Sequence, residues 1–181
     1  MANPHNIRQA MNRMDPRQRG LFAAAWSVGF VAQFAKCGAS AITLGETVGE
    51  LGIVYGKTDY SQPWFDEHGG VYPVYHTVKG LAALRGRPLI DLVISKPREI
   101  QAIAAARDGG VEIWVANLTD QTKSVEIAPA SAGVLSVLSA AEFARAARDV
   151  STMDSLERGF NNGALILPPY AVARFRSLHH S

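Results

Sequence analysis

Residues 15–45 read DPRQRGLFAAAWSVGFVAQFAKCGASAITLG, and this stretch decides the fold. Asp15 suits an N-cap, since its carboxylate can accept amide bonds left open at a helix start, and Pro16 loses nothing at the first helical position. The pattern predicts a helix over Pro16–Cys37, closed by Gly38. Small and apolar residues surround most of its circumference, as a helix packed against a sheet and its neighbours requires. A short strand is expected at Ser40–Leu44, and its lack of polar alternation predicts a parallel sheet buried on both faces. A lone strand between helices would leave unpaired backbone groups along both edges. The stretch therefore reads as one piece of a larger α/β layer, with something upstream missing.

Outward from it, Gly45–Tyr72 is a long connection without regular structure, rich in Gly, Tyr, Trp and acidic residues. Such loops are uncommon unless functional, and α/β folds place their sites between a strand end and the next helix. A second helix is predicted from Pro73 to Leu84, with Gly86 as its stop. Beyond Gly86 the period switches to β. Short strands are expected at Leu89–Ile94, Ile100–Arg107, Val111–Asn117, Val125–Ala128, Val134–Leu138, Ala164–Leu167 and Ala171–Phe175. Asp108-Gly109-Gly110 marks a hairpin, and Ser139 with Glu142 forms a capping box ahead of a short helix over Ala140–Arg148. The expected fold class is α+β: an antiparallel β-sandwich over residues 87–181, preceded over residues 1–86 by elements that resemble the last α/β units of a partial (β/α)8 barrel.

Composition narrows the function. The chain has 181 residues, 48% of them hydrophobic and 19% charged, which describes a globular protein rather than a disordered one. The net charge is +2 with the basic residues scattered, so no nucleic-acid footprint is present. The polar start carries Arg8, Arg13, Arg17 and Arg19 before any apolar run, unlike a secretory signal, and Gln33 and Lys36 cut the apolar helix short of a membrane span. A cytoplasmic location is expected. Cys37, the lone cysteine, cannot form an intrachain disulfide and reads as buried and inert near a helix C-terminus.

Glu46 is the sharpest candidate for chemistry, because it follows the strand end and would point into a barrel mouth. Glu50 is weaker. Tyr60, Trp64, Asp66, Glu67 and His68, with Tyr72 and Tyr75, have the composition of a carbohydrate-contacting surface, although aromatic residues also simply anchor long loops. His68 and His76 with the two acids lack recognised metal-ligand spacing, and no metal or cofactor is expected. No G-x-S-x-G elbow and no phosphate-loop lysine is present; Gly45, Gly49, Gly52 and Gly56 read as flexible turns. Asn117-Leu118-Thr119 fits a glycosylation sequon but reads as turn chemistry, and His179-His180 carries no functional signal.

Several stretches resemble the D-apionate lactonase family of bacterial apiose catabolism. They are Met14-Asp-Pro-Arg-Gln-Arg-Gly-Leu-Phe-Ala-Ala-Ala-Trp26, Ala41-Ile-Thr-Leu-Gly45, Phe65-Asp-Glu-His-Gly-Gly-Val-Tyr-Pro-Val-Tyr-His76 and Gly80-Leu-Ala-Ala-Leu84. The ending Leu167-Pro-Pro-Tyr-Ala-Val-Ala-Arg-Phe175 is similar to the last strand of the β module in the wider glycoside-hydrolase-like group. The resemblance implies a glycoside-hydrolase-like barrel with a C-terminal β-sandwich, hydrolysis of a sugar-acid lactone, and a sugar or sugar acid as ligand. It covers only the C-terminal portion of such an enzyme. The paired carboxylates of these barrels match no position here, so the resemblance implies a catalytic centre outside this chain, with the catalytic residues unassigned. The expected partner is an N-terminal barrel half. The alternative reading is a non-catalytic binding or oligomerisation module whose first helix and strand meet another copy.

Overall fold

A computed structural model describes residues 15–128, 132–161 and 163–177, and His179-His180 lies outside them. Asp15 caps as expected, its carboxylate accepting the Arg17 N–H at 2.9 Å. The turn it starts, Pro16–Arg19, is a 3-10 helix that breaks at Gly20 before helix α1, Leu21–Lys36. The expected single helix is thus two. Gly20 supplies the break: its backbone is extended, with φ near −103° and ψ near 178°. The end matches expectation closely. Gly38 adopts φ of 78°, its N–H donates to Ala35 O, and the Ala39 N–H reaches back to Phe34 O, which closes the last turn as a Schellman motif. Cys37 is exposed rather than buried, because it caps this turn after the packed face of α1 has ended.

The expected strand Ser40–Leu44 has no ladder partner among the described residues and is half-exposed to exposed, not buried on two faces. A strand exists only through its neighbours, and none lies beside this segment among the described residues. The parallel pairing falls just later, between β1 (Glu46–Val48) and β2 (Gly52–Val54). With three residues between them, the two segments form a hydrogen-bonded coil of the loop, not a sheet wall. The connection is also less irregular than expected: it holds β1, β2, a one-turn helix α2 (Phe65–His68) and a bridge from Val54 to Val71. Helix α3 spans Pro73–Ala82, and Gly86 ends the segment at φ of 75°.

The β region contains β3 (Leu89–Ile90), β4 (Ile100–Arg107), β5 (Gly110–Asn117), β6 (Lys123–Glu126) and β7 (Ala132–Leu138). The capping box at Ser139 and Glu142 forms, ahead of a 3-10 turn and helix α4 (Phe143–Arg148). Helix α5 (Thr152–Ser155), β8 (Arg158–Asn161), β9 (Ala164–Leu167) and β10 (Val172–Ser177) complete it. Neither α5 nor β8 is expected from the sequence, since four residues are too few to show a period. Residues 91–94 fall outside β3, so the predicted Leu89–Ile94 strand keeps only its first two residues.

Six strands form one antiparallel sheet in the order β3-β4-β5-β10-β7-β8, and β6 with β9 forms a second of two strands. Alternation along the large sheet sends residues to two different cores. Ile103, Ala105, Trp114 and Val172 pack against Ala25 and Val28 of α1 and Leu81 of α3. Their neighbours Ala102, Ile113, Val115 and Phe175 pack under Leu165 and Leu167 of β9. A sheet covered on both faces explains why β4 and β5 read as nearly continuous apolar runs. It also means that the helices and the β module share one core. No helix among the described residues is long and apolar enough to cross a membrane.

Candidate functional site

The loop from Gly45 to Tyr72 is held by side chains that satisfy its own backbone. Buried Gln62 donates its amide to Gly56 O at 3.1 Å and to the Thr58 hydroxyl at 3.0 Å, and accepts the Tyr72 hydroxyl at 2.8 Å. Asp66 accepts the Tyr55 hydroxyl at 2.9 Å on one oxygen and the Gln62 N–H on the other. Burial pushes the Tyr72 phenol up to about 12, and the bond to Asp66 raises that of Tyr55, so both remain donors at neutral pH. From outside the loop, Gln18 donates to Gly52 O at 3.0 Å, which ties the turn before α1 to β2.

Trp64 sits at φ of 71°, a left-handed conformation uncommon for a bulky residue. His68 stacks on its ring, with centroids 4.7 Å apart and planes 22° apart, and the Arg148 guanidinium lies 5.5 Å from its centroid. The edges of Phe65 and Phe143 complete the surround. Because the Trp64 carbonyl can only accept, the 2.8 Å bond to it makes His68 Nδ1 the donor and leaves Nε2 toward the Glu67 carboxylate, 3.8 Å away. Tyr60 lies apart, with the Arg19 guanidinium 5.9 Å from its ring. Glu46 is exposed at the start of β1, and neither its carboxylate nor the Tyr60 hydroxyl makes a hydrogen bond among the described residues.

The six candidates thus divide. Trp64, Glu67 and His68 form one cluster; Asp66 belongs to the loop's internal network; Glu46 and Tyr60 stand separately. A sugar stacking on Trp64 would compete with His68 or Arg148 for its ring. Sequence reading missed Gln62, which carries no signal in a polar loop, and Arg148 and Arg19, which come from other elements. Among the described residues no group of three or more His, Cys, Asp and Glu side chains could hold a metal ion. The Asn117 side chain is buried, donating to Leu167 O and Pro168 O and accepting from Thr119, so the sequon is structural.

His76 is buried on α3, its Nε2–H donating to Ala146 O at 2.8 Å, while Nδ1 has no partner among the described residues. Burial holds its pKa below the ordinary 6.5, so the fold keeps the ring neutral. The unfolded chain then binds the extra proton, and the stability this ring contributes is complete above about pH 6.5 and is lost as pH falls through and below it. Urea midpoints should fall between pH 8 and pH 5.5. The lowered carboxyl pKa values of Asp149 and Asp154 add their losses further down, near and below pH 4. His76→Gln should flatten the upper part of this profile; a profile unchanged by the substitution would assign it to another group.

Two helices and a strand-to-helix loop, sharing a core with an antiparallel β module, make this a protein of the α+β class. Two family models match in succession: the D-apionate lactonase TIM barrel domain over residues 1–86 and the D-apionate lactonase C-terminal immunoglobulin-like domain over residues 97–175. The chain belongs to the D-apionate lactonase family. It is 30% identical over 128 residues to the D-apionate lactonase of Brucella anthropi, a match covering 71% of this chain and 20% of that protein. The chain thus spans about a fifth of the length of the curated relative it matches. Among solved structures, a conserved exported protein from Bacteroides fragilis superposes with a TM-score of 0.56 at 13% identity, covering 94% of this chain and 37% of that one. A GH39 β-xylosidase from Caulobacter crescentus gives 0.53 at 16%, covering 93% and 42%. At these identities the two show likeness of fold.

Proposed function

We propose that this chain supplies one wall of the substrate cleft of a cytoplasmic sugar-acid lactone hydrolase, together with its structural β module, and that the groups activating water lie outside it. One observation carries this reading. Inside the 45–72 loop the side chains of Tyr55, Gln62, Asp66 and Tyr72 satisfy one another, with Asp66 engaged on both oxygens, while neither the Glu46 carboxylate nor the Tyr60 hydroxyl has a hydrogen-bond partner among the described residues. A carboxylate at that place can orient a sugar hydroxyl; alone it offers no acid–base pair. The chain at micromolar concentration is expected to leave a sugar-acid lactone at its background rate of hydrolysis. Turnover on the order of 1 to 10³ per second would overturn the assignment of the centre elsewhere. In an NMR titration with the same lactone, binding should perturb residues 46–60, and Glu46→Gln should weaken it by about threefold to tenfold, the loss of one hydrogen bond. Perturbations confined to the β module would remove the loop from the cleft.

The second reading, a non-catalytic binding or oligomerisation module, is favoured by one feature. Trp26, Phe30 and Phe34 stack along α1 with centroids 4.7 and 4.3 Å apart, and Trp26 and Phe34 are 46% and 45% exposed. Exposed apolar stripes of this kind mark contact surfaces. Light scattering separates the readings, since a defined dimer dispersed by Phe34→Ser would favour the module.

A further inference from the structure

The second sheet of the β module has an open place in it. β6 pairs with β9 along one edge, and its other edge has no strand beside it among the described residues. Residues 91–95 make no backbone hydrogen bond among the described residues, yet Leu92 and Ile94 pack into the same apolar core as Val125 and Ile127. Between these two open edges lies a cavity of about 730 Å³, with Ala102, Ile113 and Val115 of the large sheet among its lining residues. One strand residue in a sandwich takes about 3.3 Å along the chain, 4.8 Å to its neighbour strand and 10 Å between sheets, or roughly 160 Å³. The cavity therefore holds about four to five residues, which is the length of β6.

Resting on the reading of this chain as one part of a lactone hydrolase, we propose that this cavity is the seat of one further β-strand, added between β6 and residues 91–95 and supplied by the part of the D-apionate lactonase polypeptide that lies outside the match to the curated relative. Two features select that occupant. Main-chain donors and acceptors along both edges, unpaired among the described residues, are a template for an extended chain, which a compact ligand would leave unsatisfied. The curated relative extends over four-fifths of its length beyond the match, and a strand from the same polypeptide docks at high effective concentration. Alternate side chains of the incoming strand should be aliphatic and small enough to sit over Ala102 and Val115. An acidic residue beside them would meet Lys96, which lines the cavity and forms no ion pair among the described residues, whereas Lys123 is already bound to Glu99 at 2.6 Å.

The test is to tile the unmatched sequence of the Brucella anthropi relative as overlapping short peptides and measure their binding to this chain. Binding should concentrate in one peptide of alternating aliphatic residues. Ala102→Phe, which fills the cavity floor, should weaken it about tenfold or more, while Ile166→Ser on the outer face of β9 should not. On the unsubstituted chain, the bound peptide should slow hydrogen exchange at residues 91–95 and along β6, a readout independent of whether Ala102→Phe folds. Failure of every peptide to bind, or binding that leaves those amides unprotected, would overturn the proposal. Lactone hydrolysis plays no part in either readout, so this idea can fail without touching the cleft assignment.

Discussion

Trp114→Ala is expected to destabilise the chain by about 3 to 5 kcal/mol, as truncation of a fully buried tryptophan does. Trp114 is 1% exposed and heads the chain's largest fully buried side chains. It rises from β5 into the core that the sheet shares with α1 and α3, and Gly80 of α3 makes room for its ring. Any β-carbon at position 80 would fall inside that ring, so the two positions form one joint. The loss goes beyond volume. Its Nε1–H donates to the buried Glu112 carboxylate at 3.0 Å, and without it Glu112 keeps, among the described residues, only Arg87, 3.8 Å away. Gly80→Ala should also destabilise, by about 1 to 3 kcal/mol through overpacking, against the roughly 1 kcal/mol that alanine adds to a helix. Combined with Trp114→Phe, it should cost less than the sum of the two. Urea unfolding followed by circular dichroism measures all three. We expect one transition, since residues 1–86 and 87–181 meet through this joint. A loss under about 1 kcal/mol for Trp114→Ala would mean that the helices and the β module do not depend on each other.

Gly70→Ala should be the second severe change, costing about 3 kcal/mol or more. Gly70 has φ of 107°, a region that side-chain-bearing residues rarely adopt, and a β-carbon there would run into the carbonyl of Ala147 in α4. That carbonyl is backbone and cannot swing aside; it also accepts the Val71 N–H at 2.9 Å. Gly70 O in turn accepts the Tyr55 N–H at 3.0 Å, so the strain enters the loop that carries the candidate site. For a chain of this size each kcal/mol moves the melting temperature by about 2 to 4 °C, which predicts a fall of roughly 6 to 12 °C. Faster hydrogen exchange at Tyr55 and Val71 should accompany it. A variant melting within about 2 °C of the parent would show that α4 can shift to accommodate the change.

Local signals in the chain proved sufficient wherever the physics is local. Asp15 before Pro16, Gly38 after the last turn of α1 and the Ser139–Glu142 box each satisfy backbone groups within a few residues, Pro73 opens α3 where its missing N–H costs nothing, and each forms as read. The hairpin at Asp108-Gly109 and the strands Ile100–Arg107 and Ala164–Leu167 were legible for the same reason. Ser40–Leu44 was not, because a strand needs a partner and sequence displays only one side of a ladder. The order inside residues 45–72 escaped as well: Gln62, Asp66, Tyr55 and Tyr72 are spread over eighteen residues and become a network only when the loop folds back.

The amino-acid sequence alone therefore determined the caps at Asp15, Gly38 and Ser139, the switch from helical to β period after Gly86, the family, and the set of polar and aromatic residues from which a site could be drawn. Tertiary structure decided how those residues are used. It stacked His68 and Arg148 on Trp64, committed Asp66 to the loop, exposed Glu46 and Cys37, and turned alternate residues of β4 and β5 into two separate cores. The physical reason is range. Capping and periodicity act over one or two turns of chain, whereas stacking, burial and strand pairing depend on segments that meet only after folding.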